Sequence, residues 1–364
     1  MSDAAQITIR LHEDDNVVVA RADILSGTEI PGEDVLALAQ VPPGHKIATM
    51  AIAKGEAIRK YDQIIGFAKE DIAPGGYLHT HNIEMQIFER DYAHSTAARA
   101  TAFVPDGNRA TFQGIRRANG KVATRNYIGI LTSVNCSATV ARYIADMVNA
   151  GALADYPNVD GIVACVHATG CGMADSGEGY ENLQRTLWGF ARHPNFGGIL
   201  LVGLGCEVNQ IDFLLEAYGI ERGPEFRTMT IQDTGGTRKT VARGVEIVKE
   251  MLPMANAVGR ETVLASELTL ALQCGGSDAY SGITANPSLG AAVDLLVENG
   301  GTGILSETPE IYGAEHLLTR RAETPEVGAK LIERIRWWEE YTARNKGEMN
   351  NNPSPGNKVG GLTT

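Results

Sequence analysis

The stretch Gly198-Ile-Leu-Leu-Val-Gly-Leu-Gly205 is the longest apolar run of the chain, and Cys206 follows it directly. The run is too short to span a membrane as a helix and has the length of a buried strand. Similar runs alternate with helix-like stretches further along the chain: Tyr127–Val134, Gly161–Val166, Met229–Gln232, Glu267–Gln273 and Gly303–Ser306. This alternation predicts βαβ units, and therefore an α/β domain with a mostly parallel sheet over residues 113–345.

The first 95 residues have a different pattern, because no helical period is sustained there. A phrase with a Gly between two apolar stretches recurs at residues 23–30, 51–58 and 71–78, which is typical of a strand–turn–strand corner. We predict a small β domain over residues 1–95. It is followed over residues 96–112 by a linker, or by a strap packed on the second domain. Residues 346–364 are rich in turn formers and are predicted to be a loop or tail.

The composition is that of a globular protein, with 43% hydrophobic and 21% charged residues. A net charge of −12 argues against nucleic acid or a membrane surface as the partner, because both require a basic face. The amino-terminal residues are polar and lack the apolar core of a signal peptide, which predicts a cytoplasmic protein. The odd count of five cysteines argues against a disulfide framework and favours free thiols or metal ligands.

Four cysteines lie just beyond predicted strands: Cys136, Cys171, Cys206 and Cys274. Their intervals are 171 − 136 = 35, 206 − 171 = 35 and 274 − 206 = 68 residues, close to one and two βα units. Ligands of open parallel sheets bind outside the carboxyl ends of the strands, so these thiols are predicted to share one crevice. They would form a metal site or an iron–sulfur cluster there. The alternative is that they pack as small apolar residues at strand ends, as we predict for Cys165 within its strand.

Polar residues accompany these cysteines. His167 and Glu207 adjoin predicted strand ends, and Gln273–Pro287 is dense in glycine and short polar side chains. Glycines let the backbone approach a ligand and offer N–H groups to an anion. Each of these residues alone is better explained as a helix cap or turn residue. As a set they predict a polar active site, with these further members of the glycine-rich segment: Gly275, Gly276, Ser277, Asp278 and Asn286.

The segment Leu78-His-Thr-His-Asn82 carries two histidines at alternate positions. In an extended strand, His79 and His81 would project from the same face. Two imidazoles on one face can bind a divalent metal, so both residues are candidate ligands. A pair of surface histidines near a domain end explains the pattern equally well.

Several segments resemble the altronate/galactarate dehydratase family, along essentially the whole chain. They are Gly44–Lys46, Ile64–Phe67, His79–Asn82, Arg117–Asn126, Gly203–Glu207, Gln273–Pro287 and Asn352–Lys358. The resemblance implies that the first domain is a SAF-like β-clip unit. His79–Asn82 and Tyr312-Gly-Ala-Glu315 are more similar to altronate dehydratases than to galactarate dehydratases. The family also implies a further C-terminal domain beyond residues 346–364, which would make this chain a fragment or one part of a split enzyme.

The resemblance further implies metal-dependent dehydration of a small-molecule sugar acid to a 2-keto-3-deoxy acid. Fe(II) or another divalent metal such as Mn(II), bound to the carboxylate and 2-hydroxyl, would stabilise the enediolate formed when the C2 proton leaves. Candidate acids and bases are His167, Glu207 and Asp278. Arg125, Lys358 and the glycine-rich amides are candidates for holding the carboxylate. Homo-oligomerisation stays open.

Two other functions are compatible with the sequence. A sulfolactate sulfo-lyase would eliminate sulfite instead of water from a related acid, and assays on a panel of substrates would separate it from a dehydratase. A non-catalytic protein that binds a sugar acid or metal would bind these ligands without turnover.

Overall fold

The computed structural model describes residues 6–86, 88, 90–273, 275–350 and 353–363. It divides the chain into two compact units. Unit 1 combines residues 1–106 with residues 269–364, and unit 2 consists of residues 107–268. The prediction of an N-terminal β domain followed by α/β structure with a parallel sheet is confirmed.

The amino-terminal part of unit 1 consists of short strands. They are β1 (Thr8–Ile9), β2 (Val17–Ala20), β3 (Glu29–Ile30), β4 (Val35–Leu36), β5 (Lys46–Ala48), β6 (Ala57–Lys60), β7 (Gln63–Ala68), β8 (Tyr77–Leu78) and β9 (Ile83–Glu84). They form antiparallel sheets in the orders β1-β2-β5-β8, β6-β7-β9 and β3-β4. The Gly of each recurring phrase has a positive φ: +83° at Gly27, +82° at Gly55 and +80° at Gly75. A Cβ at Gly75 would lie 1.8 Å from the carbonyl oxygen of Leu36, so this corner requires glycine.

Unit 2 is built on the predicted parallel sheet. Its strands are β10 (Thr111–Arg116), β11 (Val122–Ala123), β12 (Tyr127–Thr132), β13 (Gly161–Cys165), β14 (Phe196–Gly203), β15 (Phe226–Thr230) and β16 (Glu261–Leu264). Its helices are α1 (Ala138–Asn149), α2 (Glu178–Ala191), α3 (Ile211–Tyr218), α4 (Ile231–Thr234) and α5 (Thr237–Asn256). The sheet β13-β12-β14-β15 is parallel throughout. Leu200, Leu201 and Val202 of β14 are fully buried between two apolar clusters, which explains the uninterrupted apolar run.

The remaining elements of unit 1 follow residue 268. They are β17 (Thr269–Leu272), α6 (Ala285–Glu298), β18 (Thr302–Leu305), α7 (Glu315–Thr319), α8 (Pro325–Arg344) and α9 (Pro355–Val359). Strands β17 and β18 form a separate parallel pair. The predicted α/β domain over residues 113–345 is therefore divided near residue 268. The physical reason is that β17 and β18 pair with each other and do not extend the parallel sheet β13-β12-β14-β15.

Two predicted connecting segments have ordered contacts. In the first, Ser95 and Ala97 donate backbone hydrogen bonds to the carbonyls of Thr319 and Arg320, and Val104 donates one to Glu298. These hydrogen bonds attach the segment to residues of its own unit, and its role as a linker or a strap stays a prediction. In the second segment, the predicted tail, α9 begins with a capping box at Ser354. No helix among the described residues is long and apolar enough to cross a membrane.

Candidate functional site

Three cysteine loops follow three neighbouring strands of unit 2. Cys136 lies in a single 3-10 turn directly after β12, Cys171 lies beyond β13, and Cys206 lies three residues after β14. Strand β12 is hydrogen-bonded to both β13 and β14, and all three run in the same direction. The loops therefore leave the same carboxyl edge of the sheet, where ligands of parallel sheets bind. We call Cys136, Cys171 and Cys206 the thiol triad.

Backbone hydrogen bonds join these loops to one another. The N–H of Asn135 donates to the carbonyl of Thr169 over 2.9 Å, and the N–H of Val208 donates to the carbonyl of Cys171 over 3.0 Å. The first bond links the Cys136 loop to the Cys171 loop, and the second links the Cys171 loop to the Cys206 loop. The triad is thus carried by a connected set of loops whose backbones are fixed relative to one another.

The sulfur atoms of the triad are accessible and interact electrostatically. All three cysteines are exposed, and the pKa of the Cys136 thiol is raised by desolvation and then by the neighbouring Cys171 and Cys206. Cys165, in contrast, is half-buried within β13 and packs against the apolar cluster around Leu201. Its prediction as a core residue agrees with this placement. Three exposed thiols on neighbouring loops are a set of soft ligands for a cation.

Glu207 lies beneath the Cys206 loop and is only 3% exposed. Its carboxylate accepts hydrogen bonds from the Ser133 hydroxyl, from the N–H of Leu204 over 3.0 Å and from the N–H of Gly205 over 2.6 Å. Both oxygens are therefore occupied by groups of the protein. These contacts favour a role in holding the turn before Cys206 over the predicted role as an acid or base.

Both ring nitrogens of His167 are also hydrogen-bonded to groups of the protein. Its Nε2 donates to the carbonyl of Thr132 over 2.9 Å, and its Nδ1 accepts from the N–H of Thr169 over 3.2 Å. This pattern describes a neutral imidazole with the proton on Nε2. His167 thus ties the end of β12 to the loop that leads to Cys171.

A polar cleft of about 440 Å³ lies beside the Cys206 turn, within unit 2. Its lining residues include Gly205, Glu207, Gln210, Arg222 and Thr230. The volume lies within the range of small-molecule sites. Arg222 supplies a guanidinium there, which is paired with Asp212.

Arg125 does not belong to this edge of the sheet. It precedes β12, whose six residues separate it from the Cys136 turn, and six residues of strand span about 20 Å. Its Nη1 lies 3.5 Å from a carboxylate oxygen of Asp160, on an exposed surface. The strand thus places Arg125 and the thiol triad at opposite ends, and the role of Arg125 in holding a substrate carboxylate stays a prediction.

A second polar arrangement occurs within unit 1, where three basic side chains bind the carboxyl end of α9. His79 Nε2 donates to the carbonyl of Lys358 over 2.8 Å, and His45 Nε2 donates to that of Val359 over 3.1 Å. Lys46 Nζ donates to the carbonyl of Gly361 over 2.8 Å. We call His45, Lys46 and His79 the basic clamp. Donors at these positions satisfy carbonyls that the end of a helix leaves free.

The histidine pair is not extended as predicted. Strand β8 ends at Leu78, and a turn follows in which the Asn82 side chain accepts from the His79 N–H over 3.0 Å and donates to the Tyr77 carbonyl over 2.9 Å. The prediction that His79 and His81 share the face of a strand is wrong, because Asn82 closes this turn. His79 Nε2 binds the Lys358 carbonyl, so the structure gives it a partner other than a metal.

The glycine-rich segment also lies in unit 1, next to α9. Asp278 is exposed, and its carboxylate accepts from the N–H of Ser281 over 2.8 Å. The carbonyl of Ser277 accepts from the Asn357 side chain over 2.5 Å. These contacts place Gly275, Gly276, Ser277 and Asp278 in a loop beside the helix that carries Lys358. Asn286 lies in the first turn of α6, and Cys274 lies outside the described residues.

Sequence reasoning missed Lys46 as a functional candidate. Only 2% of this residue is exposed, and burial, followed by the charge of Lys60, lowers the pKa of its ammonium to about 7. Burial also lowers the pKa of Lys60. No local sequence pattern indicates that a lysine will be buried. Only the inclusion of Gly44–Lys46 among the segments that resemble the family could have drawn attention to Lys46.

Replacing Lys46 with Met is expected to change how stability depends on pH. The folded pKa of Lys46 is about 7 and its ordinary value is 10.5, so the cost of the buried charge is full below pH 7 and disappears as the pH rises to 10.5. The free energy of unfolding of Lys46→Met minus that of the parent should therefore fall by about 3 kcal/mol between pH 7 and pH 10. Urea unfolding at both pH values measures this difference. A constant difference would contradict it, and Lys54→Met, at an exposed position, is the control.

Comparison with known proteins gives matches along most of the chain. The SAF domain of altronate/galactarate dehydratases matches residues 6–86. The second domain of D-galactarate dehydratase/altronate hydrolase matches residues 114–256, and the C-terminal domain of D-galactarate/altronate dehydratase matches residues 265–364. Residues 346–364, predicted to lead to a further domain, thus belong to a matched domain that begins near the boundary between the two units.

Individual relatives of this chain are named as sugar-acid dehydratases or as a sulfo-lyase subunit. An altronate dehydratase of Bacillus subtilis strain 168 is 34% identical over 98% of this chain and 71% of its own length. A galactarate dehydratase (L-threo-forming) of Escherichia coli K12 is 38% identical over 97% of this chain and 69% of its own length. The beta subunit of a (2R)-sulfolactate sulfo-lyase of Chromohalobacter salexigens is 30% identical over 70% of this chain and 61% of its own length.

Proposed function

The chain belongs to the D-galactarate/altronate dehydratase family, and from this membership we propose that it is a hydro-lyase that dehydrates a sugar acid. The observation that carries the proposal is the thiol triad at the carboxyl edge of the parallel sheet, beside a polar cleft. An edge of this kind is where open α/β sheets bind small ligands. D-altronate is the first candidate substrate, because relatives of similar identity act, by their names, on altronate and on galactarate.

The reaction removes one molecule of water from an aldonate. A base takes the proton at C2, and an acid protonates the hydroxyl that leaves C3. The resulting enol takes up a proton at C3 and becomes the 2-keto-3-deoxy acid. The barrier is set by negative charge that develops next to the carboxylate when the C2 proton leaves, so the site must bind an anion and stabilise further charge.

The thiol triad fits a metal by its donor set. Three exposed thiols with mutual electrostatic interaction are soft ligands that suit iron. Iron held there would supply Lewis-acid stabilisation to a substrate with adjacent carboxylate and hydroxyl groups. Glu207 and His167 keep the loops of the triad in place, so we assign positioning roles to both. His79 Nε2 donates a hydrogen bond to the carbonyl of Lys358 in α9. We therefore assign the metal to the thiols.

The loop beside α9 belongs to unit 1 and carries other predicted site residues. Asp278 keeps an exposed carboxylate there and stays a predicted acid or base. Lys358 and the amides of Gly275 and Gly276 stay predicted ligands of a carboxylate, since glycine lets backbone N–H groups approach an anion. The basic clamp fixes the carbonyl of Lys358 and thereby positions the helix that carries it.

Turnover on a panel of acids tests this proposal. The full chain, purified anaerobically and supplied with Fe(II), is expected to form a 2-keto-3-deoxy acid from D-altronate and to lose this activity with a chelator. If galactarate is the preferred substrate, the proposed activity changes from altronate dehydratase to galactarate dehydratase. Sulfite release from sulfolactate would favour the sulfo-lyase alternative, for which the named beta subunit is the specific observation. If the chain binds these acids but turns none of them over, the proposal that it is a hydro-lyase is refuted.

A further inference from the structure

We propose that β17, α6 and β18 of unit 1 form a docking surface for a further polypeptide segment that adds strands to this strand pair. We call these three elements the open layer. Three observations support the docking. The apolar side chains of the open layer are exposed, its two strands have open edges, and the relatives contain a segment that this chain does not match.

The apolar side chains of the open layer are accessible to solvent. Leu305 of β18 is 54% exposed, and Leu270 of β17 and Ile304 of β18 are exposed as well. Leu295 of α6 is 63% exposed, and no residue of this fully described helix is buried. In the parallel sheet of unit 2, in contrast, β14 is buried over residues 198–203. Exposed apolar residues that cluster in this way mark an interaction surface.

The strand pair has one face that α6 does not cover. Strands β17 and β18 are parallel, with Leu270 paired to Gly303 and Ala271 paired to Ile304. Helix α6 lies over the first of these pairs, because a Cβ at Gly303 would lie 2.7 Å from Val293 Cγ1. Side chains of a strand alternate between its faces, so Ala271 and Ile304 lie on the face away from α6. Parallel sheets occur almost only with both faces covered, so this face requires a partner.

The edges of the strand pair are open as well. Within the part of the chain that the structure describes, β17 and β18 pair only with each other. The outer N–H and C=O groups of such strands are available to an added strand. The partner is therefore an α/β polypeptide with apolar strands. It would extend the sheet at one edge and cover the face of Ile304.

The relatives contain a segment that can take this place. This chain covers 71% of the Bacillus subtilis altronate dehydratase and 69% of the Escherichia coli galactarate dehydratase. Nearly a third of each relative thus has no counterpart here, and we call this part the unmatched segment. The open layer itself lies within the matched C-terminal domain, residues 265–364. We therefore assign the unmatched segment as the occupant of the open layer.

Coexpression of the full chain with the unmatched segment of each of these two relatives tests the docking. A complex with one copy of each partner is expected, and amide hydrogen exchange in the open layer should slow by about tenfold or more relative to the free chain. Leu295→Glu and Ile304→Glu should each weaken the complex by about tenfold or more, because a charge would be buried among apolar groups. Leu25→Glu is the matched control, since Leu25 is an exposed leucine outside the open layer. Circular dichroism verifies that each variant is folded.

Three outcomes would overturn the docking. The first is that neither unmatched segment forms a complex with the chain. The second is that a complex forms but keeps its affinity in folded Leu295→Glu and Ile304→Glu. The third is that the free chain sediments as a dimer that Ile304→Glu dissociates, because a second copy would then occupy the open layer. Turnover of sugar acids is measured separately, so failure of the proposed function leaves this test unaffected.

Discussion

Replacing Glu207 with alanine is expected to lower the free energy of unfolding by about 3–5 kcal/mol. The Glu207 carboxylate is 3% exposed and accepts hydrogen bonds from Ser133, Leu204 and Gly205. Its removal leaves these donors unsatisfied in the interior, and each unsatisfied donor costs about 1–3 kcal/mol. The turn that carries Cys206 should loosen as well, so iron uptake should fall together with stability.

Urea unfolding of Glu207→Ala and of Glu216→Ala measures this effect. Glu216 is an exposed carboxylate on α3, and its loss should change the unfolding free energy by less than about 0.5 kcal/mol. Equal stability of the two variants would show that Glu207 does not support the turn. Glu207→Gln, which keeps one acceptor oxygen, should lie between the parent and Glu207→Ala.

Replacing Gly203 with alanine is expected to destabilise the same turn by about 2–4 kcal/mol. A Cβ at Gly203 would lie 2.6 Å from Glu207 Oε1 and 3.1 Å from both Ile211 Cδ1 and Ser133 Oγ. The first distance is shorter than real contacts, so Glu207 must move and give up hydrogen bonds. The close approach of three groups explains why this strand ends in glycine.

The control for Gly203→Ala is a glycine with open space around it. A Cβ at Gly189, within α2, would meet nothing within 4 Å. Gly189→Ala should therefore stabilise the protein by about 0.5–1 kcal/mol, because alanine restricts the unfolded chain and favours the helix. Opposite signs for the two substitutions, measured by urea unfolding, are the expected result. A neutral Gly203→Ala would contradict the contacts described around Glu207.

The strands could be predicted because their apolar runs are local signals. The run Gly198–Gly205 became β14, and the position of Cys136, Cys171 and Cys206 beyond strand ends followed from the alternation of strands and helices. Strand partners could not be predicted in the same way, since a run of apolar residues does not encode its neighbour. The pairing of β17 with β18, apart from the parallel sheet of unit 2, is therefore absent from any local pattern.

In unit 1, local sequence patterns also failed to predict which partners the side chains bind. His79 and His81 have the spacing of residues on one face of a strand. The Asn82 side chain closes a turn at this point, so the backbone is not extended there. Lys46 reaches the carbonyl of Gly361, which is 315 residues away in sequence. A buried lysine cannot be identified from its neighbours in the chain when its partner is so distant.

Dehydration of D-altronate in deuterated water by the iron-loaded full chain is the most direct test of the proposed function. Proton removal at C2, loss of the C3 hydroxyl and protonation of the enol should give a 2-keto-3-deoxy acid with one solvent deuterium at C3. Mass spectrometry and proton resonance measure the position of this deuterium. A 2-keto-3-deoxy product without solvent deuterium, or no turnover of any aldonate or aldarate, would contradict the proposed reaction.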